Sequence, residues 1–348
     1  GSQAIVVLKG STPSSSTPPT NTNPSTTPTS SAQEYKKPNS VKESQSADPV
    51  DLSTGSHIIE HSIISLFGGN KTAVSINYNS SQLVSGSMGT GWYHNFERRL
   101  EVTEDNILIY DSPSVYSIYE KISDTVYNCI TKGKENYILT LNSDGGYVLD
   151  CNKNGKMYFG ADGKLTAVED KQGFKTALTY AENSIIITDA IEGSIILNLE
   201  NGFVTSITDG IRTAEFTYSD GYLIEIKDVN GSKLYYTYNS DGFIETGADD
   251  NGTVYFVNTY ENGKISEQVD GSGNSAKTYF SYNETDTGLT VTVTNRNGDN
   301  STRVFNDYGQ LTSYTDENGN ITTYAYDENL NLVSTTDANG NTESTVYN

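Results

Sequence analysis

The C-terminal part of the chain repeats itself with a period of about 21 residues. The stretch beginning at Asp316, Asp-Glu-Asn-Gly-Asn, returns at Asp337 as Asp-Ala-Asn-Gly-Asn, and Tyr326 returns as Tyr347. Aromatic residues stand at equivalent positions in the preceding units, at spacings of 20 to 23 residues: Tyr218, Tyr238, Tyr260, Tyr282 and Phe305. Weaker matches continue the series backwards: Leu199, Tyr180 and Phe159. A constant period of this length is typical of a repeat architecture.

Each unit contains two turn signals. One has the form Asp-x-x-Gly, and the other follows the aromatic residue and ends in Gly before an apolar residue. Asn-Gly and Asp-Gly favour hairpins because their central residues accept positive φ. Two turns per unit leave two strands of about five or six residues, whose side chains alternate between two faces. We therefore predict an all-β chain in which successive hairpins pair into one antiparallel sheet.

Composition supports strands and excludes several functions. The 25 tyrosines far outnumber the 10 phenylalanines and 2 methionines, and the 31 glycines supply turns. A formal net charge of -22 argues against nucleic-acid binding, which requires a basic face. The sequence contains no run of 18 apolar residues, so we predict no membrane span.

The N-terminal part differs sharply in composition. Seven of the eight prolines lie at or before Pro49, and residues 10–46 are mostly Ser, Thr, Pro, Asn and Gln. Such a stretch cannot bury enough apolar surface to fold by itself. We predict a linker over 1–47, with the end of a preceding domain at 3–9, whose last strand would be 4–8. An N-terminal β region follows over 48–157, and the repeats occupy 158–348, where the C-terminus truncates them.

The repeated tyrosine turns resemble the YD repeat of bacterial Rhs and wall-associated proteins and of the animal teneurins. The segment before them resembles the start of an Rhs core, with Asp48-Pro49 and a Gly-x-Gly-Trp segment that ends at Gly91-Trp92. The resemblance covers about residues 48–348. It implies a β-sheet that spirals into a hollow shell, enclosing or presenting a C-terminal toxin domain of the same polypeptide in contact-dependent competition. That toxin domain is absent from this sequence.

We therefore interpret the chain as a non-enzymatic part of such a shell, without a cofactor, that is secreted or displayed at a bacterial cell surface. No export signal stands in the sequence. The alternative is a cell-surface adhesion module that binds glycans through exposed tyrosines. Trp92, the single tryptophan, is interpreted as a core anchor. The Asp-x-Asn-Gly stretches are interpreted as turns rather than calcium loops.

Two further patterns carry possible chemistry. His57, Glu60 and His61 match H-x-x-E-H, a zinc-protease motif that needs a helix and a third ligand. The isoleucines around them favour a strand, so we predict no metal site and keep metal-dependent hydrolysis as the weakest hypothesis. Cys129 and Cys151 are 22 residues apart, close to one repeat, and form a candidate disulfide; buried free thiols are the alternative.

Overall fold

The computed structural model describes residues 32–45, 49–66, 72–191, 193–271, 276–286 and 288–347. The predicted strand at 4–8, most of the predicted linker and Asp48 lie outside these residues. Within them the fold is all-β apart from two short 3-10 helices, at Lys42–Ser44 and Asn152–Asn154, which confirms the predicted fold class.

Seven strands come first in the chain. They are β1 (Gln33–Glu34), β2 (Val50–Asp51), β3 (Ser56–Ser65), β4 (Ala73–Asn79), β5 (Ser85–Gly86), β6 (Gly89–Thr90) and β7 (Trp92–His94). Strands β2, β3, β4 and β7 form a four-stranded antiparallel sheet, and β5 pairs with β6. We call residues 49–96 the cap and residues 32–45 the strap.

The remaining strands form the wall. They are β8 (Arg99–Val102), β9 (Ile107–Tyr110), β10 (Val115–Lys121), β11 (Val126–Cys129), β12 (Ile138–Leu141), β13 (Tyr147–Asp150), β14 (Lys156–Phe159), β15 (Leu165–Glu169), β16 (Lys175–Ala181), β17 (Ser184–Thr188), β18 (Ser194–Glu200), β19 (Phe203–Thr208), β20 (Thr213–Ser219), β21 (Tyr222–Lys227), β22 (Lys233–Tyr238), β23 (Ile244–Asp249), β24 (Val254–Glu261), β25 (Lys264–Asp270), β26 (Lys277–Thr285), β27 (Gly288–Thr294), β28 (Asn300–Phe305), β29 (Leu311–Thr315), β30 (Ile321–Tyr326), β31 (Leu332–Thr336) and β32 (Thr342–Ser344).

Each wall strand from β8 to β32 pairs antiparallel with the next, and β1 adds to β10 in parallel, so the sheet has 26 strands in the described part of the chain. The meander therefore begins at β8, before residue 158, where the sequence repeat becomes visible. Side chains alternate between the two faces of the wall, and one face is buried against the cap. The cap and the wall share one hydrophobic core, in which Trp92 and Met88 of the cap pack with Phe216 and Leu223 of the wall.

The strap lies within the segment predicted to be a linker, but it is packed against the wall. Residues 32–45 run from β10 to the late repeats. There the Asn39 side chain donates to the Gly309 carbonyl (2.6 Å) and accepts from the Leu311 amide (2.9 Å). Val41 is buried in a second core cluster with Phe305. Composition alone favours disorder in this segment. Its hydrogen-bond partners lie about 270 positions away, at the repeat turns, so no local pattern indicates them.

The candidate disulfide is not formed. Cys129 and Cys151 are free, buried thiols on either side of β12, whose strand partners are β11 and β13. Two strand spacings amount to about 9.5 Å, which exceeds the Cα separation of up to about 7 Å that a disulfide spans. The hairpin period thus brings equivalent residues onto alternate strands, not onto adjacent ones.

Candidate functional site

The repeated aromatic residues mark the same structural position in successive hairpins. Most of them lie opposite the apolar residue that follows the second turn, as in Tyr218 opposite Leu223 and Tyr238 opposite Ile244, whereas Tyr282 lies opposite Val291. A β-bulge adjoins most of these pairs, including those of Phe305 and of Phe159 in the weaker part of the series. Because a bulge increases local twist, its repetition adds twist at an equivalent position in successive hairpins.

The tyrosine hydroxyls tie each repeat to the one before it. Each bonded hydroxyl donates to the carbonyl of the apolar residue about 15 positions earlier, at 2.7 to 2.9 Å. The pairs are Tyr180 to Leu165, Tyr218 to Val204, Tyr238 to Leu223, Tyr260 to Ile244 and Tyr326 to Leu311. Tyr282 departs from this pattern, since its buried hydroxyl has no hydrogen-bond partner in the described chain. These aromatic residues are therefore part of the scaffold.

The Asp-x-x-Gly stretches are corners of the sheet. At Asp316 one carboxylate oxygen accepts the amides of Asn318 (2.9 Å) and Asn320 (2.8 Å), and the Gly319 amide donates back to the Asp316 carbonyl (3.1 Å). Asp337 forms the same turn one repeat later. The Asn320 side chain also bonds this carboxylate and lowers the pKa of Asp316. The repeated carboxylates thus satisfy backbone amides, as Asx turns do.

The cap docks on the wall through the bulges. Amides at four bulge positions donate to oxygen atoms of the cap or strap at 2.8 to 3.1 Å, and a bulge leaves such amides available because it disrupts the ladder. The pairs are Val204 to the Ser87 carbonyl, Ile244 to the Tyr78 hydroxyl, Ile265 to the Gly55 carbonyl and Leu311 to the Asn39 side chain. The wall therefore offers an equivalent docking point in several repeats.

Trp92 anchors this contact. Its side chain is fully buried, its Nε1 donates to the Tyr238 hydroxyl (2.9 Å), and its ring centroid lies 5.4 Å from that of Tyr78 and 5.2 Å from that of Tyr236. Gly91 precedes it at φ +79, where an added Cβ would stand 2.7 Å from the Tyr78 ring. The Gly-Trp pair from the sequence is thus explained by backbone conformation and close packing.

The H-x-x-E-H motif does not form a zinc site. Residues 57–61 lie in strand β3, where His57 and His61 face the wall while Glu60 is exposed. No group of three potential metal ligands occurs among the described residues. Ring nitrogens of the two imidazoles instead meet Asn258 (3.1 Å) and the Tyr236 hydroxyl (2.6 Å).

His57 lies in a polar cluster that the sequence did not reveal. Asn258 donates to His57 Nδ1 (3.1 Å), and Gln268 donates to the Asn258 side-chain oxygen (2.9 Å); all three residues are buried. Burial lowers the pKa of His57 to about 4. The signal available in the sequence was Asn258 itself, which stands two residues before a repeat aromatic, where the flanking repeats carry Tyr236 and Phe280.

Two cavities adjoin the cap. One, of about 200 Å³, is mostly apolar and is lined by His57, His61, Tyr236 and Phe256. The other, of about 340 Å³, lies where the strap, the cap and a late repeat turn meet. Among the described residues, no helix has the length and apolar character needed to cross a membrane.

Two family models match this sequence. A domain of unknown function (DUF6531) matches residues 47–115, which hold the cap and the first wall strands, and the RHS Repeat model matches residues 305–342, in the late wall. No curated protein matches.

Solved Tc toxin structures share only distant similarity with the chain. TcdB2-TccC3 is 9% identical over 86% of this chain and 22% of its own, with a TM-score of 0.30. The Photorhabdus luminescens Tc holotoxin pore is 12% identical over 69% and 19%, with a TM-score of 0.32. The chain thus spans about a fifth of these proteins.

The family assignment rests on the two family models and on the repeat itself. The models match opposite ends of the described β-structure, in the order cap and then repeats. Between them the wall continues without interruption in its strand order from β8 to β32. These two matches and the repeat between them support assignment of the chain to the Rhs/YD-repeat family.

Proposed function

We propose that the chain is a non-enzymatic wall segment of an Rhs shell, which encloses or presents a C-terminal toxin of the same polypeptide in contact-dependent competition between bacteria. The observation that supports this role is the continuous wall, one face of which is covered by the chain's own cap. The candidate catalytic residue types make structural hydrogen bonds. His57 and His61 bond side chains of the wall, and the turn carboxylates accept hydrogen bonds from backbone amides.

Protease protection in the native full-length polypeptide tests enclosure. Whatever sequence follows the repeats should survive a protease concentration that degrades it after the wall is opened in denaturant. Secretion or surface display would be checked in the same strain by fractionation. Equal cleavage rates before and after opening would refute enclosure while leaving the wall architecture intact.

Glycan binding is the second candidate, and the 340 Å³ cavity favours it. Its lining includes the aromatic rings of Tyr35, Tyr93 and Tyr308 together with the amides of Asn79 and Gln82, a combination that suits sugar rings and hydroxyls.

A glycan array probed with the chain tests this candidate directly. Binding should saturate and should be lost on Tyr308→Ala, whereas Tyr279→Ala, at a tyrosine of similar exposure outside the cavity lining, should leave it unchanged. Equal loss in both variants, or no binding, would exclude the cavity as a glycan site.

A further inference from the structure

All three histidines of the sequence lie in the cap: His57, His61 and His94. His57 and His94 are buried, and His61 is partly buried beside Trp92. Histidine is the side chain whose ordinary pKa places its charge change between pH 5 and 8. The side chains whose ordinary pKa lies in the range of mild acid are thus concentrated in the element that covers the wall.

The surroundings of His57 require its neutral form. The Asn258 amide nitrogen donates to His57 Nδ1, and the same nitrogen lies 3.5 Å from the Ile244 carbonyl, an acceptor that favours this orientation of the amide. A proton on Nδ1 would place two hydrogen-bond donors, the imidazole N–H and the Asn258 amide group, opposite each other without an acceptor. The neighbouring rings are Phe256, with centroids 4.7 Å apart, and Tyr78, at 6.1 Å. Among the described residues, no carboxylate pairs with His57 to offset a charge.

The wall is specialised at this point. The position two residues before the repeat aromatic is apolar or aromatic in three other repeats, as Phe216, Tyr236 and Phe280; it is Arg303 before Phe305, and it is Asn258 opposite His57. Gln268 likewise occupies the inner position that Ile226 holds two hairpins earlier. Asn258 bonds the imidazole and Gln268 bonds Asn258, so this strand pair buries a hydrogen-bonded contact that depends on the charge of His57.

His94 and His61 extend the same arrangement. His94 Nδ1 accepts the Phe96 amide (3.3 Å), which again requires that nitrogen to be unprotonated, while its Nε2 lies 4.0 Å from the Glu97 carboxylate. The His61 ring stacks on Trp92 at 6.1 Å, and its Nε2 meets the Tyr236 hydroxyl. Glu97 is the charged group that favours protonation of His94, and burial opposes it.

We propose that the contact between cap and wall is an acid-sensitive joint, in which protonation of His57 and His94, with His61 beside them, loosens the cap while the strand ladder of the wall persists. The joint is independent of what the shell encloses. Burial lowers the pKa of all three imidazoles, that of His57 to about 4.

The direction of the pH dependence follows from which state of the cap binds protons more readily. A released cap would protonate its histidines near pH 6.5, whereas the docked cap resists until a lower pH. Docking is therefore favoured fully above pH 6.5 and weakens as the pH falls. Each histidine contributes up to about tenfold per pH unit. For His57, over the interval from 6.5 to about 4, the docking equilibrium changes by roughly 300-fold.

Trp92 supplies the measurement, since it is the only tryptophan and is buried at the joint. Titrating the full chain from pH 7.5 to 3.5 should shift its emission to longer wavelength between pH 6.5 and 4. Far-UV circular dichroism should keep its strand signal over that interval, and a return to pH 7.5 should restore the emission. Emission and dichroism that change together, or an irreversible change, would overturn the proposal.

Substitution of the histidines tests whether their protonation causes the shift in Trp92 emission. His57→Gln, His94→Gln and their double variant keep the stacked pair of His61 and Trp92 and remove the titrating groups, so the emission midpoint should fall to lower pH. An unchanged midpoint in a folded double variant would overturn the proposal. Carbon-13 NMR of the three histidines in the unaltered chain provides a test without mutation, because free titration near pH 6.5 without any change in Trp92 emission would also overturn it.

Discussion

Removing one repeat hydroxyl should destabilise the wall, and the chain provides its own control. The Tyr218 hydroxyl donates to the Val204 carbonyl at 2.7 Å, and Val204 is fully buried, so Tyr218→Phe leaves a buried acceptor without its donor. Such a loss costs about 1 to 3 kcal/mol. Tyr282 is the aromatic residue of its own repeat, in a hairpin without the bulge, and its buried hydroxyl has no partner among the described residues. Tyr282→Phe should therefore leave stability unchanged or raise it slightly.

Urea titration followed by far-UV circular dichroism measures this difference. The midpoint should fall for Tyr218→Phe at an unchanged slope, because the surface exposed on unfolding stays the same. It should stay near that of the unaltered chain for Tyr282→Phe. Equal midpoints in the two variants would refute the argument that the hydroxyl bond, rather than the aromatic ring, joins successive repeats.

The remaining predictions concern the cap, the strap and the thiols. Gly91→Ala should lower the free energy of unfolding by about 1 to 3 kcal/mol, measured in urea, because its φ is positive and its Cβ would press on the Tyr78 ring. Asn39→Ala removes two hydrogen bonds of the strap and should speed protease cleavage within residues 32–45 several-fold, as about 1 kcal/mol allows. Burial raises the pKa of Cys129 and raises that of Cys151 to about 12, so both thiols should react with a disulfide reagent only after denaturation. Fast labelling of the native chain would contradict this.

The period and the turns could be predicted from the sequence because both are local. A left-handed Gly after Asn or Asp fixes most corners, and alternation fixes which side chains share a face, so the positions of Tyr218 through Tyr326 were visible without a structure. The early wall was missed because its hairpins lack that spacing. Strands from β8 onwards pair in the same way although no aromatic period is apparent before Phe159.

Contacts between distant segments could not be predicted. The strap looks like a linker by composition, and its ordering depends on turns that lie far along the chain. Local propensity favoured a strand at the H-x-x-E-H match, and residues 57–61 lie in β3, yet nothing near His57 pointed to Asn258, about 200 residues away. A motif is a local pattern, whereas the partner of a buried polar group is fixed only by the fold.

The repeated bulge explains how a cap without repeats can cover a repetitive wall. Successive hairpins present an amide at one equivalent position, and the cap and strap meet four of these with chemically different oxygens: two backbone carbonyls, a phenol and a side-chain amide. Because any oxygen at the right distance suffices, the covering segments need no periodicity of their own. Away from the bulges, side-chain contacts join the cap to the wall, as at His57, where the wall supplies the Asn258 amide and Gln268 bonds its oxygen.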